Sequence, residues 1–144
     1  MPENLTYIGD YAFEECDIES MDFPERLTYI GAYAFRNNEH LKSVVIPESV
    51  SNIGEGAFSG CTKLKKVKLP DNFQVISDYM FSNCNIKKIS LPEGLTAIGR
   101  NAFENNTGLK SIVIPEKVSY IGEYALSGCE KLEKVSLPDE MTSG

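Results

Sequence analysis

Seven prolines constrain this chain more than any other feature. Pro2, Pro24, Pro47, Pro70, Pro92, Pro115 and Pro138 are all the prolines it holds, and they fall 22, 23, 23, 22, 23 and 23 residues apart. Each is followed by an acid: Glu3, Glu25, Glu48, Asp71, Glu93, Glu116 and Asp139. So even a spacing marks a stack of like coils, because one such unit cannot bury its own apolar face and a neighbour must cover it. The 144 residues hold six full coils with a seventh just begun, and they read as a single solenoid domain over residues 1–144. Pro2 to Pro70 and Pro70 to Pro138 both measure 68 residues, so blocks of three coils repeat as well. The two short coils, first and fourth, lose their residue in one place, between the Cys and the following Ile.

The columns say what each position does. In Leu41–Ile46, Leu41, Val44 and Ile46 face inward while Ser43 and Val45 face out, as alternation along a strand requires. Pro47 has no N–H to give a ladder and ends the strand. The chain returns inward at Val50 and Ile53 and again at Ala57-Phe58. Phe13, Phe35, Phe58, Phe81 and Phe103 form an aromatic column, which Leu126 continues in the sixth coil. Each buried member contributes about 1.5–3 kcal/mol. Glycine follows the inward Ile at Gly9, Gly31, Gly54, Gly99 and Gly122, where a bend asks for permissive backbone, and Ser77 interrupts that column. The segment around each Ala-Phe, such as Asp10 to Glu15, reads as one short helical or 3₁₀ turn. Tyr11, Tyr33, Tyr79 and Tyr124 line the column before it and read as half-buried packing.

The unit P-E-x-L-T-x-I-G-x-x-A-F-x-x-C-x-x-L-x-x-V-x-I resembles the leucine-rich repeats of the BspA-like, Treponema pallidum type, from Pro2 to Asp139. The departures are Asn38 and Asn106 for Cys, Met80 and Leu126 in the Ala-Phe pair, and the two short coils. The resemblance implies a leucine-rich repeat solenoid of mostly short parallel strands: a right-handed, curved superhelix of about six coils with its sheet on the concave side. It further implies a cell-surface or secreted protein of a bacterium or protist, of the kind that serves as an adhesin or a tandem binding array. The chain starts and stops inside the repeat pattern, and on this reading it is a piece of a longer surface protein.

Chemistry is sparse. Cys16, Cys61, Cys84 and Cys129 share one column with Asn38 and Asn106. Asn cannot replace a bridge partner or a thiolate, but it can replace a small buried group that hydrogen-bonds loop backbone. The spacings of 45, 23 and 45 residues do not suit a metal site, so the four read as free, buried, structural thiols. The single histidine, His40, sits at a loop position and reads as solvated. No Ser or Cys has a base at a matching position in the repeat, and Gly54-x-Gly56 belongs to the repeat. The expectation is a non-enzyme with no cofactor. No window approaches the 18 apolar residues of a membrane span, and a net charge of −7 argues against general nucleic-acid or membrane-surface affinity.

The informative surface is the outward strand face. Its columns read Glu19, Lys42, Lys65, Lys87, Lys110, Glu133; then Ser20, Ser43, Lys66, Lys88, Ser111, Lys134; then Asp22, Val45, Lys68, Ser90, Val113, Ser136. Of the 14 basic residues 8 stand here, with 3 of the 21 acids, so the face carries +5 and the remainder −12. Coils stack about 4.8 Å apart, which gathers Lys65, Lys66, Lys68, Lys87 and Lys88 into one cluster with Val45 and Val113 as small apolar flanks. Such a cluster attracts an acidic ligand, a host or matrix protein or an acidic glycan. It lacks the aromatics that stack nucleic-acid bases. The competing reading is a passive spacer in a longer surface protein, whose lysines keep an open sheet soluble and unpaired. Apolar surface on the terminal coils points to end-to-end self-association of the isolated piece.

Overall fold

A spacing of 22 or 23 residues puts like residues over one another, and the chain stacks accordingly. Residues 1–138 are described in the computed structural model; Asp139, last of the post-proline acids, lies outside them. Ten short strands occur among the described residues: β1 (Tyr7–Ile8), β2 (Tyr29–Ile30), β3 (Ser43–Val45), β4 (Asn52–Ile53), β5 (Lys66–Lys68), β6 (Val75–Ile76), β7 (Ala97–Ile98), β8 (Ser111–Val113), β9 (Tyr120–Ile121) and β10 (Lys134–Ser136). All pair in parallel with a partner in an adjacent coil, as in Ile8 with Ile30, Ile30 with Ile53 and Val44 with Val67. The chain is a solenoid of about six coils with short parallel strands.

Three ladders hold the coils together. The first, just after each proline turn, forms two three-stranded sheets, β1-β2-β4 and β6-β7-β9. The second lies before the proline and forms two pairs, β3-β5 and β8-β10. The third runs through the Ala-Phe segment, and here the helical expectation is corrected. These residues form turns, with no helix among the described residues. Two residues in every coil, four apart, take the left-handed conformation: Tyr11 and Glu15, Tyr33 and Asn37, Gly56 and Gly60, Tyr79 and Asn83, Asn101 and Asn105, Tyr124 and Gly128. Left-handed residues cannot continue a right-handed helix. Instead alternate N–H groups point along the stack. Gly56, Phe58 and Gly60 donate to the carbonyls of Asp78, Met80 and Ser82 in the next coil, at 2.8, 3.0 and 2.9 Å. The N–H groups between them close tight turns within the coil, as Ala57 does onto Gly54.

Two of the three ladders are interrupted together at one junction. Between the third and fourth coils β4 and β6 do not pair, and β5 has no partner on its far side. Only the turn ladder crosses there without a break. Elsewhere the glycine after the inward Ile donates its N–H to the previous Ile, as Gly54 does to Ile30 at 2.8 Å. At the seam Ser77 stands in the glycine column, and its hydroxyl donates to Ile53 O and Gly54 O at 2.8 and 2.9 Å. The glycine column itself has a different cause from the one expected. These glycines do not need a positive φ; a Cβ on Gly54 would lie 2.4 Å from the Ala32 backbone nitrogen below it. Close approach of stacked backbones is the constraint.

The core follows the columns. Phe35, Phe58, Phe81 and Phe103 are fully buried, and successive rings from Phe13 to Phe103 stack at 5.3 to 5.9 Å between centroids. Offset stacking of this kind adds about 0.5–1.5 kcal/mol per pair to area burial. The outer coils pack less completely. Phe13, Ile18, Met21 and Phe23 are half-buried, and Val135 and Leu137, which hold the places of Val44 and Ile46 in the sixth coil, are exposed, since each of these coils has a described neighbour on one side only. The tyrosine column divides the same way: Tyr33 and Tyr79 are half-buried, Tyr11 and Tyr124 exposed.

Candidate recognition face

The outward strand face stands as the alternation requires. Lys42, Ser43, Val45, Lys65, Lys66, Lys68, Lys87, Lys88, Lys110, Val113 and Lys134 are all exposed, while Val44, Ile89 and Ile112 beneath them are buried. Val45 and Val113 are 62% and 66% exposed, unusual for valine in a strand. Register sets Lys66 beside Ser43, Lys68 beside Val45, and Lys134 beside Ser111. Among the described residues Arg36 pairs with Glu14 and the His40 ring lies against the Asp17 carboxylate, and no face lysine is tied to a carboxylate there. His40 is thus an exposed residue with a carboxylate neighbour.

These residues are not one uniform patch. Lys65, Lys66, Lys68, Lys87 and Lys88 come together with Asp71 around a groove of about 700 Å³ between the third and fourth coils. Val67, Leu69, Ile89, Leu91 and Pro92 supply its apolar lining. Lys42, Lys110, Val113 and Lys134 stand outside it. Sequence reasoning found the lysines but not the groove, whose cause lies in the short fourth coil.

The cause is a displaced hydrogen bond. In a 23-residue coil the first inward residue closes a turn onto the carbonyl three residues back, as Leu64 does on Cys61 at 2.9 Å. With a residue missing, Cys84-Asn85-Ile86 cannot make that turn. The Ile86 N–H goes instead to Oδ1 of Asn106 in the next coil, at 2.8 Å. Ile18 in the first coil likewise donates to Asn38 at 2.9 Å. Beyond Ile86, residues 87–91 make no backbone hydrogen bond to either neighbouring coil among the described residues. The fourth coil crosses the strand face without joining it, and the groove opens alongside.

The Cys/Asn column therefore does two jobs. Cys61, Cys84 and Cys129 are buried and donate to the carbonyls of Phe35, Phe58 and Phe103 at 3.2, 3.1 and 3.2 Å. Burial pushes the Cys61 thiol up to about 12, raises Cys84 well above its ordinary value and raises Cys129. Asn106 makes the equivalent bond to Phe81 O at 2.9 Å, adds Phe103 O at 2.9 Å, and accepts Ile86. Asn38 repeats the set on Phe13, Phe35 and Ile18. Cys16 corrects the expectation of four buried thiols: it is exposed, with no Phe carbonyl below it and only the Glu14 carbonyl at 3.6 Å. All four cysteines are free. Among the described residues no three His, Cys, Asp or Glu are placed to hold a metal, and no helix is long and apolar enough to cross a membrane.

No curated protein matches the chain. Solved structures do. A leucine rich cell surface protein from Faecalibacterium prausnitzii A2-165 superimposes with a TM-score of 0.79 at 32% identity, over 83% of this chain and 32% of that one. A leucine-rich repeat protein from Bacteroides ovatus gives 0.74 at 35%, over 94% and 34%. The T. pallidum leucine rich repeat protein gives 0.81 at 26%, over 92% and 75%. The chain thus spans about a third of the length of the first two. The BspA type leucine rich repeat region matches in six copies, over residues 1–110 and 30–143, which is nearly the whole sequence. The chain belongs to the BspA-type leucine-rich repeat family.

Proposed function

We propose that this chain is a non-enzymatic recognition module of a cell-surface or secreted protein, and that it binds acidic groups of a host or matrix protein or an acidic glycan through its strand face. The observation that carries the reading is the separation of charge: 8 of the 14 basic residues stand on one face of a chain whose net charge is −7. A cationic face in an acidic molecule steers an acidic partner to one side and repels it elsewhere. The exposed Val45 and Val113 add apolar contact beside the lysines. The F. prausnitzii relative is a cell surface protein, which supports the location.

The test is binding of the purified chain to matrix proteins and acidic glycans at low and physiological salt. Capture that weakens with salt and is lost in Lys66→Glu/Lys88→Glu supports the reading. A chain that binds nothing at either salt is a passive spacer.

A further inference from the structure

The groove between the third and fourth coils is a gap in a sheet as well as a cleft between side chains. On β5, the Lys66 N–H turns toward the third coil's ladder partner, Lys42 O, and the Lys68 carbonyl accepts the Ile46 N–H at 2.9 Å. Peptide groups alternate in direction along a strand, so those of Val67 point the other way, toward the fourth coil. No strand meets them there, because residues 87–91 lie off the ladder. An unpaired strand edge, an apolar lining and a ring of charge are the three components by which proteins receive an extended chain. Main-chain bonds supply affinity and alternate side chains supply specificity.

The charge says which chain. Five lysines and Asp71 border the groove, a local excess of four positive charges. The first short coil provides an internal contrast. It borders a cleft of about 380 Å³ with the second coil, where the charged residues are Asp22 and Glu25 and no lysine stands. The same loss of one residue has thus made two clefts of opposite sign.

Resting on the reading of the strand face as a recognition surface, we propose that the groove takes an extended acidic segment of a partner protein. The segment adds as a strand to the edge of β5, with its carboxylates on Lys66, Lys68, Lys87 and Lys88. Four to six residues, about 13–20 Å of extended chain, would lie along it.

The probe is a capped hexapeptide of alternating glutamate and valine, measured by fluorescence anisotropy, with dextran sulfate as a polyanion that cannot form a ladder. Two further hexapeptides carry N-methyl groups on alternate amides, one in each phase. One phase should lose at least tenfold in affinity and the other should bind nearly as the parent; equal binding by both overturns the proposal. A second variant tests the protein side. Threonine inserted between Cys84 and Asn85, with Asn106→Cys, restores a 23-residue coil and keeps every lysine. It should lose hexapeptide binding at least tenfold and keep salt-sensitive dextran sulfate binding. Unchanged hexapeptide affinity in a folded insertion variant overturns the groove and leaves the strand-face reading standing. Loss of dextran sulfate with the insertion assigns the groove to glycans and also overturns it. Failure of the unaltered chain to bind either probe overturns both.

Discussion

Asn106 Oδ1 accepts the backbone N–H of Ile86 at 2.8 Å, across the junction between two coils. Asn38 does the same for Ile18 at 2.9 Å. In both pairs the donor follows the site of the missing residue, and the acceptor replaces a cysteine. Asn and the short coil are one device. Asn106→Cys should therefore cost about 1–3 kcal/mol, the penalty of a buried N–H left unsatisfied. The inserted threonine before Asn85 should return most of it. Urea unfolding of the two variants decides the matter, and equal midpoints would sink the pairing.

The aromatic column gives a graded expectation. Phe58 is fully buried between the stacked rings of Phe35 and Phe81. Phe58→Ala should lose about 3–5 kcal/mol. Phe58→Leu should lose far less, since Leu126 fills this position in the sixth coil. Calorimetric melting of both chains would show it; comparable losses would mean that ring stacking, not volume, governs the column.

Left-handed positions invite a stabilising change. Glu15 has φ +54° and is exposed, where Gly60 and Gly128 occupy the same place in other coils. Since a left-handed conformation costs an L-residue about 1–2 kcal/mol and glycine's own flexibility takes back part, Glu15→Gly should gain up to about 1 kcal/mol. Glu15→Val should lose stability. A glycine variant that melts earlier than the parent would contradict the assignment of strain.

The cysteines separate by exposure. Cys16 should react with a thiol reagent in the native chain, and Cys61, Cys84 and Cys129 only on unfolding. They also make stability depend on alkali. The Cys61 thiol stays protonated in the folded chain up to about pH 12, against an ordinary 9.0. Between those values the folded state binds more protons than the unfolded state. Stability that is fully present below about pH 9 is thus lost as pH rises, by about 1.4 kcal/mol per pH unit for each such thiol. Unfolding midpoints at pH 8 and 10.5 would measure this, and Cys61→Ala should flatten the slope.

The coil boundaries, the inward columns and the basic face were legible in the sequence because each rests on a repeated residue type. The conformation of the Ala-Phe segment was not. Tyr11, Tyr33, Tyr79 and Tyr124 take positive φ, a region that tyrosine seldom occupies, so local propensity pointed to a helical turn while the inter-coil ladder enforced another shape. The groove does have a signal in the sequence. Asn38 and Asn106 each follow a 22-residue coil, and that coincidence is visible in the sequence alone. Its meaning was hidden because it depends on which coil's N–H the side chain reaches.

The seam between the third and fourth coils has a mechanical consequence. Among the described residues every other junction between coils is tied by at least two ladders, and at this one the turn ladder is the only ladder that runs through. A pull that splays the strand face would concentrate its strain at Ser77 and part the chain there before anywhere else, as two three-coil halves swinging on a spine. Stretched, the molecule would yield at a fixed point and keep each half folded.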